Sequence, residues 1–127
     1  MYHAADTRYD EITWDDICLT TDADEAAPYV EWCGGWLHEI DISPDARIAD
    51  ESDIVDAAED LDIITDDCRL AFELVDRREL RVELARRGFT GCRYDDMGPD
   101  NAYTHETIRV WEPGTLSIVG VSEIEAE

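Results

Sequence analysis

The chain has 127 residues, 44% of them hydrophobic, with 33 acidic against 10 basic residues and a net charge of −23. That length and apolar content suit a single domain over residues 1–127 with a modest core, and they exclude a disordered acidic tail. The shortage of cations argues against direct nucleic-acid binding, because phosphate contacts need a basic patch.

Met1 to Ala5 reads as an edge strand and Asp6 to Asp15 as a polar connection. Ile17 to Thr20 is a short strand. Thr21 or Asp22 then caps a helix whose first turn holds Asp24 and Glu25, at the positive end of the dipole, and Gly34-Gly35 stops it. Trp36 to Ile42 alternates, with Trp36, His38, Ile40 and Ile42 on one face, the period of a half-buried strand. A turn at Ser43-Pro44-Asp45 leads to a short strand over Ala46 to Ala49. Apolar spacing predicts helices over Glu51 to Leu61 and over Asp66 to Arg87. The second carries a stripe of Leu70, Leu74, Val75, Val82 and Ala85, with i,i+4 pairs Glu73–Arg77 and Glu83–Arg87 and a Gly88 cap. Strands follow at Gly91 to Tyr94, Glu106 to Trp111 and Leu116 to Val121, the first two separated by a polar loop from Asp95 to Tyr103. Helices in the middle and strands at both ends predict an α+β fold with antiparallel sheets.

All basic residues are arginine, and the acids run along the whole chain. Self-repulsion at this charge strains a compact state at low salt, whereas at molar salt the Debye length shrinks to about 3 Å and screens it. The composition therefore reads as adaptation to a salt-rich cytoplasm. An acidic decoy that mimics nucleic acid is the competing reading, and it needs its acids only on one face. Cys18, Cys33, Cys68 and Cys92 lack C-x-x-C spacing, so they read as small core thiols rather than zinc or redox sites. No apolar run approaches the ~20 residues of a membrane span, and no basic-then-apolar leader is visible. The expected place is the cytoplasm.

Several segments, taken in order, resemble the ADP-ribosyltransferase superfamily in the arrangement of diphtheria toxin and the poly(ADP-ribose) polymerases. Tyr2-His3-Ala4-Ala5-Asp6 resembles the first motif, a strand histidine after an aromatic residue. Ile17-Cys18-Leu19-Thr20-Thr21-Asp22, followed by Ala26-Ala27-Pro28-Tyr29, resembles the second. His105-Glu106-Thr107-Ile108-Arg109-Val110-Trp111-Glu112-Pro113 resembles the third. Leu84 to Cys92 looks like the family's helix end and its Gly-aromatic-x-Gly entry to a strand. The resemblance implies split antiparallel β-sheets with the helices mid-chain. It is closest to small stand-alone versions carried by phages and mobile elements, some of them toxins or anti-CRISPR modifiers.

What the resemblance implies chemically is transfer of ADP-ribose from NAD to a protein or nucleic-acid acceptor. Glu106 takes the catalytic role, holding the ribose and stabilising an oxocarbenium-like state, a form of charge stabilisation that is often the largest catalytic term. His3 orients the cofactor. His3, Cys18, Thr20, Thr21 and Tyr29 would hold NAD, and Asp96 or Asp100 would assist or meet the acceptor. Cys18 stands where the family has a tyrosine that stacks on nicotinamide, so Tyr9, Trp14 or Tyr29 must supply that ring, or the chain is a binding module that has lost its chemistry.

The residues also have plainer readings. His3 and His38 are ordinary hydrogen-bonded strand histidines, and Glu106 is one solvated carboxylate among many. Trp32, Trp36 and Trp111 are core rings. Arg77, Arg78, Arg81, Arg86 and Arg87 form an ion-paired solvent face, or a landing place for an acidic partner or phosphate.

Overall fold

The computed structural model describes residues 1–13, 16–97 and 104–126. Its elements are strands β1 (Tyr2–Ala5), β2 (Ile17–Thr20), β3 (Gly35–Ile42), β4 (Ile48–Ala49), β5 (Gly91–Met97), β6 (Thr104–Val110) and β7 (Leu116–Ile124), with helices α1 (Ala23–Ala26), α2 (Glu51–Asp60), α3 (Ala71–Leu74) and α4 (Arg78–Arg86). The fold is α+β. One seven-stranded sheet runs β4-β5-β6-β2-β1-β3-β7. Every neighbouring pair is antiparallel except β4–β5, which is parallel.

The sheet is weakest at its centre. β1 and β2 meet at the single pair Tyr2↔Thr20, whereas each matches its outer neighbour over its whole length. Two halves, β4-β5-β6-β2 and β1-β3-β7, are thus hinged at one register point. Ile17, Leu19, Ile108 and Val110 from one half share a core cluster with Ile40 from the other, and Ile42 and Ile118 pack against it. The opposite face of the first half carries Ala49, Cys92 and Tyr94, buried under Ile54, Ala57, Ala58, Leu74, Val75, Leu80 and Leu84 of the helical segment.

α2 starts where the sequence places it because Asp50 and Asp53 form a reciprocal cap. The Asp53 N–H donates to Asp50 Oδ1 (3.0 Å), and the Asp50 N–H donates to Asp53 Oδ2 (3.0 Å). The Asp53 N–H, with the Ser52 hydroxyl, holds the Asp50 carboxyl below its usual range. Replacing Asp50 by alanine is expected to lower the midpoint of urea unfolding. An unchanged midpoint would show that the cap is dispensable.

The predicted helix over 66–87 is two helices. A continuous helix that buried Leu74 would turn positions 77, 78 and 81 inward, and all three are arginine. The chain breaks after Leu74, buries Leu74 and Val75, and restarts at Arg78 so that Leu80 and Leu84 face the core, fully buried. Val82 and Leu70, assigned to the apolar stripe from spacing, are instead 56% and 52% exposed. The break is stapled from the sheet. The guanidinium of Arg109 on β6 donates two bonds to Asp16 (2.7 and 2.8 Å), a third to Asp76 (3.0 Å) and a long one to the Val75 carbonyl (3.4 Å). Arg81 donates to that same carbonyl at 2.7 Å. Glu73 accepts the Leu70 N–H rather than pairing with Arg77, which bonds Glu79 at 2.5 Å. Arg86 pairs with Glu83, and Arg87 with Asp60 (2.6 Å), so much of the arginine cluster is the ion-paired face that its composition suggested. Glu83 also lies 3.9 Å from Arg87, the expected i,i+4 partner.

Two glycines fit their places for steric reasons. Gly88 ends α4 at φ 94°, a left-handed conformation that side chains disfavour. A Cβ on Gly35 would run into the Ala5 carbonyl, so the close β1–β3 pairing at that end requires glycine. Trp32 is 79% exposed and not a core ring, because it lies in the turn between α1 and β3 rather than on a strand. Trp111 packs against the helical core and donates its indole N–H to the Phe89 carbonyl at 2.9 Å. Trp36 lies under the Arg8 guanidinium, 5.7 Å from its ring centre. Of the thiols, only Cys92 is a core residue: Cys18 and Cys33 are exposed and Cys68 half-buried.

Candidate functional site

A cleft of about 300 Å3 opens beside the hinge of the sheet. Its wall is formed by His3 and Ala4 of β1, Cys18 and Thr20 of β2, Ala26 and Tyr29 of the α1 segment, Asp96 of β5, and His105 and Thr107 of β6. Register explains the grouping. Thr20 lies opposite Thr107, and Asp96 opposite His105, so these side chains leave neighbouring strands on one side. Asp22 caps α1, its carboxylate accepting the Asp24 N–H at 2.8 Å; the turn after the helix brings Tyr29 over the cleft.

His3, Cys18, Thr20 and Tyr29, named from sequence order as cofactor-binding residues, thus line one cavity together with Asp96. Thr21 does not join them; it is exposed one residue beyond β2, past the last paired position. Asp100 and Trp14 lie outside the described residues.

Glu106 is the main correction. It lies between His105 and Thr107, and strand alternation sends it to the reverse side of β6, the side on which Ile108 and Val110 enter the second core. There it lines a separate depression with Asp50, Glu51, Ser52, Arg93, Tyr94 and Asp95. The expected meeting of His3 and Glu106 across one pocket does not occur. The carboxylate on the cleft wall is Asp96, half-buried.

Among the described residues, two tyrosine–histidine pairs border the cleft. Tyr29 Oη lies 2.9 Å from His105 Nε2, with the rings edge to face at 81°. His105 Nδ1 lies 3.2 Å from the Thr107 hydroxyl. Tyr9 Oη lies 2.7 Å from His3 Nδ1. Burial, with the adjacent His38, lowers the His3 pKa from 6.5 to about 4, so this imidazole is neutral at neutral pH. Burial likewise raises the Tyr9 phenol, which keeps its proton. The Cys18 side chain reaches solvent in the cleft, yet crowding by its neighbours strips water from the thiol and raises its pKa, against the pull of the Arg109 guanidinium.

His38, on the alternating face of β3, is fully buried. Its Nε2 accepts the Tyr9 N–H (3.2 Å), its Nδ1 faces the His3 carbonyl (3.3 Å), and its ring stacks on that of Tyr9 with centres 3.6 Å apart. Sequence reasoning missed His105 and Thr107 as cleft residues. The available signal was the alternation of β6 itself, which separates Thr107 and Arg109 from Glu106, Ile108 and Val110.

No protein-family model, curated protein or solved structure matches the chain.

Among the described residues the arrangement offers a planar, partly exposed Tyr29 ring, small side chains at Cys18, Thr20 and Ala26, a neutral imidazole, and the Asp96 carboxylate. Its volume is at the lower end of the ~300–1,000 Å3 of small-molecule clefts, enough for one ring and a sugar rather than a whole dinucleotide. Among the described residues there is no group of three or more His, Cys, Asp or Glu side chains poised to hold a metal, and no helix long and apolar enough to cross a membrane.

Proposed function

We propose that this cleft binds the nicotinamide–ribose end of NAD, and that the chain is a salt-adapted, ADP-ribosyltransferase-like binding module in which Glu106 takes no part in chemistry. One observation carries the reading: His3 of the first motif and Cys18, Thr20 and Tyr29 of the second line a single cavity. The residues fit the group. Tyr29, 43% exposed, offers a face for a pyridine ring in place of the missing tyrosine at Cys18. Thr20 and His105 supply polar atoms for a carboxamide, and His3 for a ribose hydroxyl. NAD, when bound, would contribute an activated glycosidic bond; this chain's residues bind and orient it, and they lack the glutamate expected beside the sugar.

A second reading, in which the protein transfers ADP-ribose to a macromolecular acceptor, is favoured by Asp96, a carboxylate on the cleft wall with His3. Calorimetry with NAD in molar KCl tests the binding, and release of labelled nicotinamide tests the transfer. The expected result is saturable binding, weakened by Tyr29→Ala and unaffected by Glu106→Gln, with no nicotinamide release. Release that disappears in Asp96→Asn but survives in Glu106→Gln would establish the transferase with Asp96 as its carboxylate. Absence of NAD binding by wild-type protein defeats both readings.

A further inference from the structure

Residues 77–87 hold five of the chain's ten basic residues and only two acids, a local net charge of +3 on a molecule whose other residues carry −26. α4 turns Leu80 and Leu84 into the core, which sends Arg78, Val82 and Arg86 to solvent along the opposite stripe, one turn apart. Val82 is 56% exposed, more than any other large aliphatic side chain described. Two depressions meet on this stripe, and Arg78 and Val82 line both. One, of about 600 Å3, includes Leu61 at the end of α2 and Arg86. The other, of about 450 Å3, includes Trp111 and Arg81. Each combines a half-buried apolar side chain with guanidinium groups. The neighbouring arginines are committed within the fold: Arg77 to Glu79, Arg81 to Asp16, Arg86 to Glu83 and Arg87 to Asp60. Among the described residues, Arg78 forms no such pair, and it is exposed.

We propose that this face of α4 docks a partner protein through an acidic segment with an aliphatic side chain. The aliphatic group packs beside Val82, and a carboxylate bonds the Arg78 guanidinium. The face shares no lining residue with the cleft at the hinge, so the inference stands apart from the NAD reading. Charge selects the class of partner. The molecule as a whole repels anions, and molar salt confines electrostatics to about 3 Å. What survives is contact: a guanidinium–carboxylate pair, strong when bidentate, and burial of apolar surface, which salt does not screen. Nucleic acid fits this face less well. Glu79 and Glu83 line the same depression as Arg78 and would oppose a continuous row of phosphates. A peptide sets its carboxylates singly between them and brings the aliphatic group that Val82 and Leu61 can cover.

Fluorescence anisotropy in molar KCl tests the surface, with a labelled peptide of alternating glutamate and leucine as the probe. A lysine–leucine peptide of the same length and a labelled single-stranded oligonucleotide run beside it. Saturable binding of the glutamate–leucine peptide alone is expected, weakened about tenfold or more by Arg78→Glu and by Val82→Asp. Arg93→Glu, an exposed change on β5 in a separate depression, should leave it unaltered. Positions 78 and 82 are exposed, so unchanged urea midpoints will show that the variants fold. Failure of the peptide to bind, binding indifferent to Arg78→Glu, or tighter binding of the oligonucleotide overturns the proposal. A dimer in sedimentation that Val82→Asp dissolves would assign the face to a second copy of the chain and overturn it as well.

Discussion

Replacing His38 by alanine lowers the stability of the fold by about 3–5 kcal/mol, the range for truncating a large buried ring, enlarged here by stranding two backbone groups. The side chain is fully buried and serves the Tyr9 N–H and the His3 carbonyl at once. Removing it leaves a hole beside Tyr9, an amide without its acceptor and a carbonyl without its donor. Urea unfolding measures the loss, and a change under about 1 kcal/mol would mean that water replaces the ring without penalty. The same site predicts acid sensitivity in the wild type. His3 binds its proton near pH 4 when folded but near 6.5 when unfolded, and His38 is shifted in the same direction. Between those values the unfolded chain takes up protons that the folded one refuses. Stability from these groups is therefore complete above pH 6.5 and declines as pH falls toward about 4. A melting temperature that stays flat over that window would contradict the burial of both rings.

Removing salt is expected to have a still larger effect, because it acts on the whole surface. The chain carries 23 more acids than bases, and no aspartate or glutamate is among the buried polar residues described. Lowering KCl from about 1 M to about 0.01 M lengthens the Debye screening distance from ~3 to ~30 Å, so repulsion reaches across the molecule. The expected outcome is a melting temperature that rises steeply with salt, with cooperative unfolding lost at the dilute end. The arginine pairs move the other way: screening weakens them, and exposed ones contribute only about 0–1 kcal/mol each, too little to offset the net repulsion. Equal melting temperatures at both ends of the titration would refute the salt-adapted reading of the composition. A tight complex with a nucleic-acid-binding protein at low salt would instead favour the acidic decoy.

The order of elements and most strand positions were legible from the residues. The alternation of Trp36 to Ile42 became β3, and Asp50 and Asp53 flank the predicted start of α2 as its cap. These features are local: period, capping and turn chemistry act within a few residues, so one segment suffices to read them. The long helix over 66–87 failed because its helix-forming residues favour continuity, whereas burial of Leu74 and Leu80 around arginines at 77 and 78 does not permit it. Which of these prevails depends on the sheet beneath, where Arg109 from a strand more than thirty residues away holds the broken turn.

The sequence by itself determined the composition of the cleft better than its chemistry. Motif order brought His3, Cys18, Thr20 and Tyr29 into view without any knowledge of their distances. Only the tertiary structure decided that Glu106 turns away while His105 and Thr107 turn in, since a one-residue difference along a strand reverses the face and no motif spacing records it. Only the tertiary structure, too, could put Tyr9 against His38, because that stack joins a polar connection to a strand twenty-nine positions further on. Local pattern fixes what each segment can form; which side chains then share a buried space is settled by register between strands that are distant in the chain.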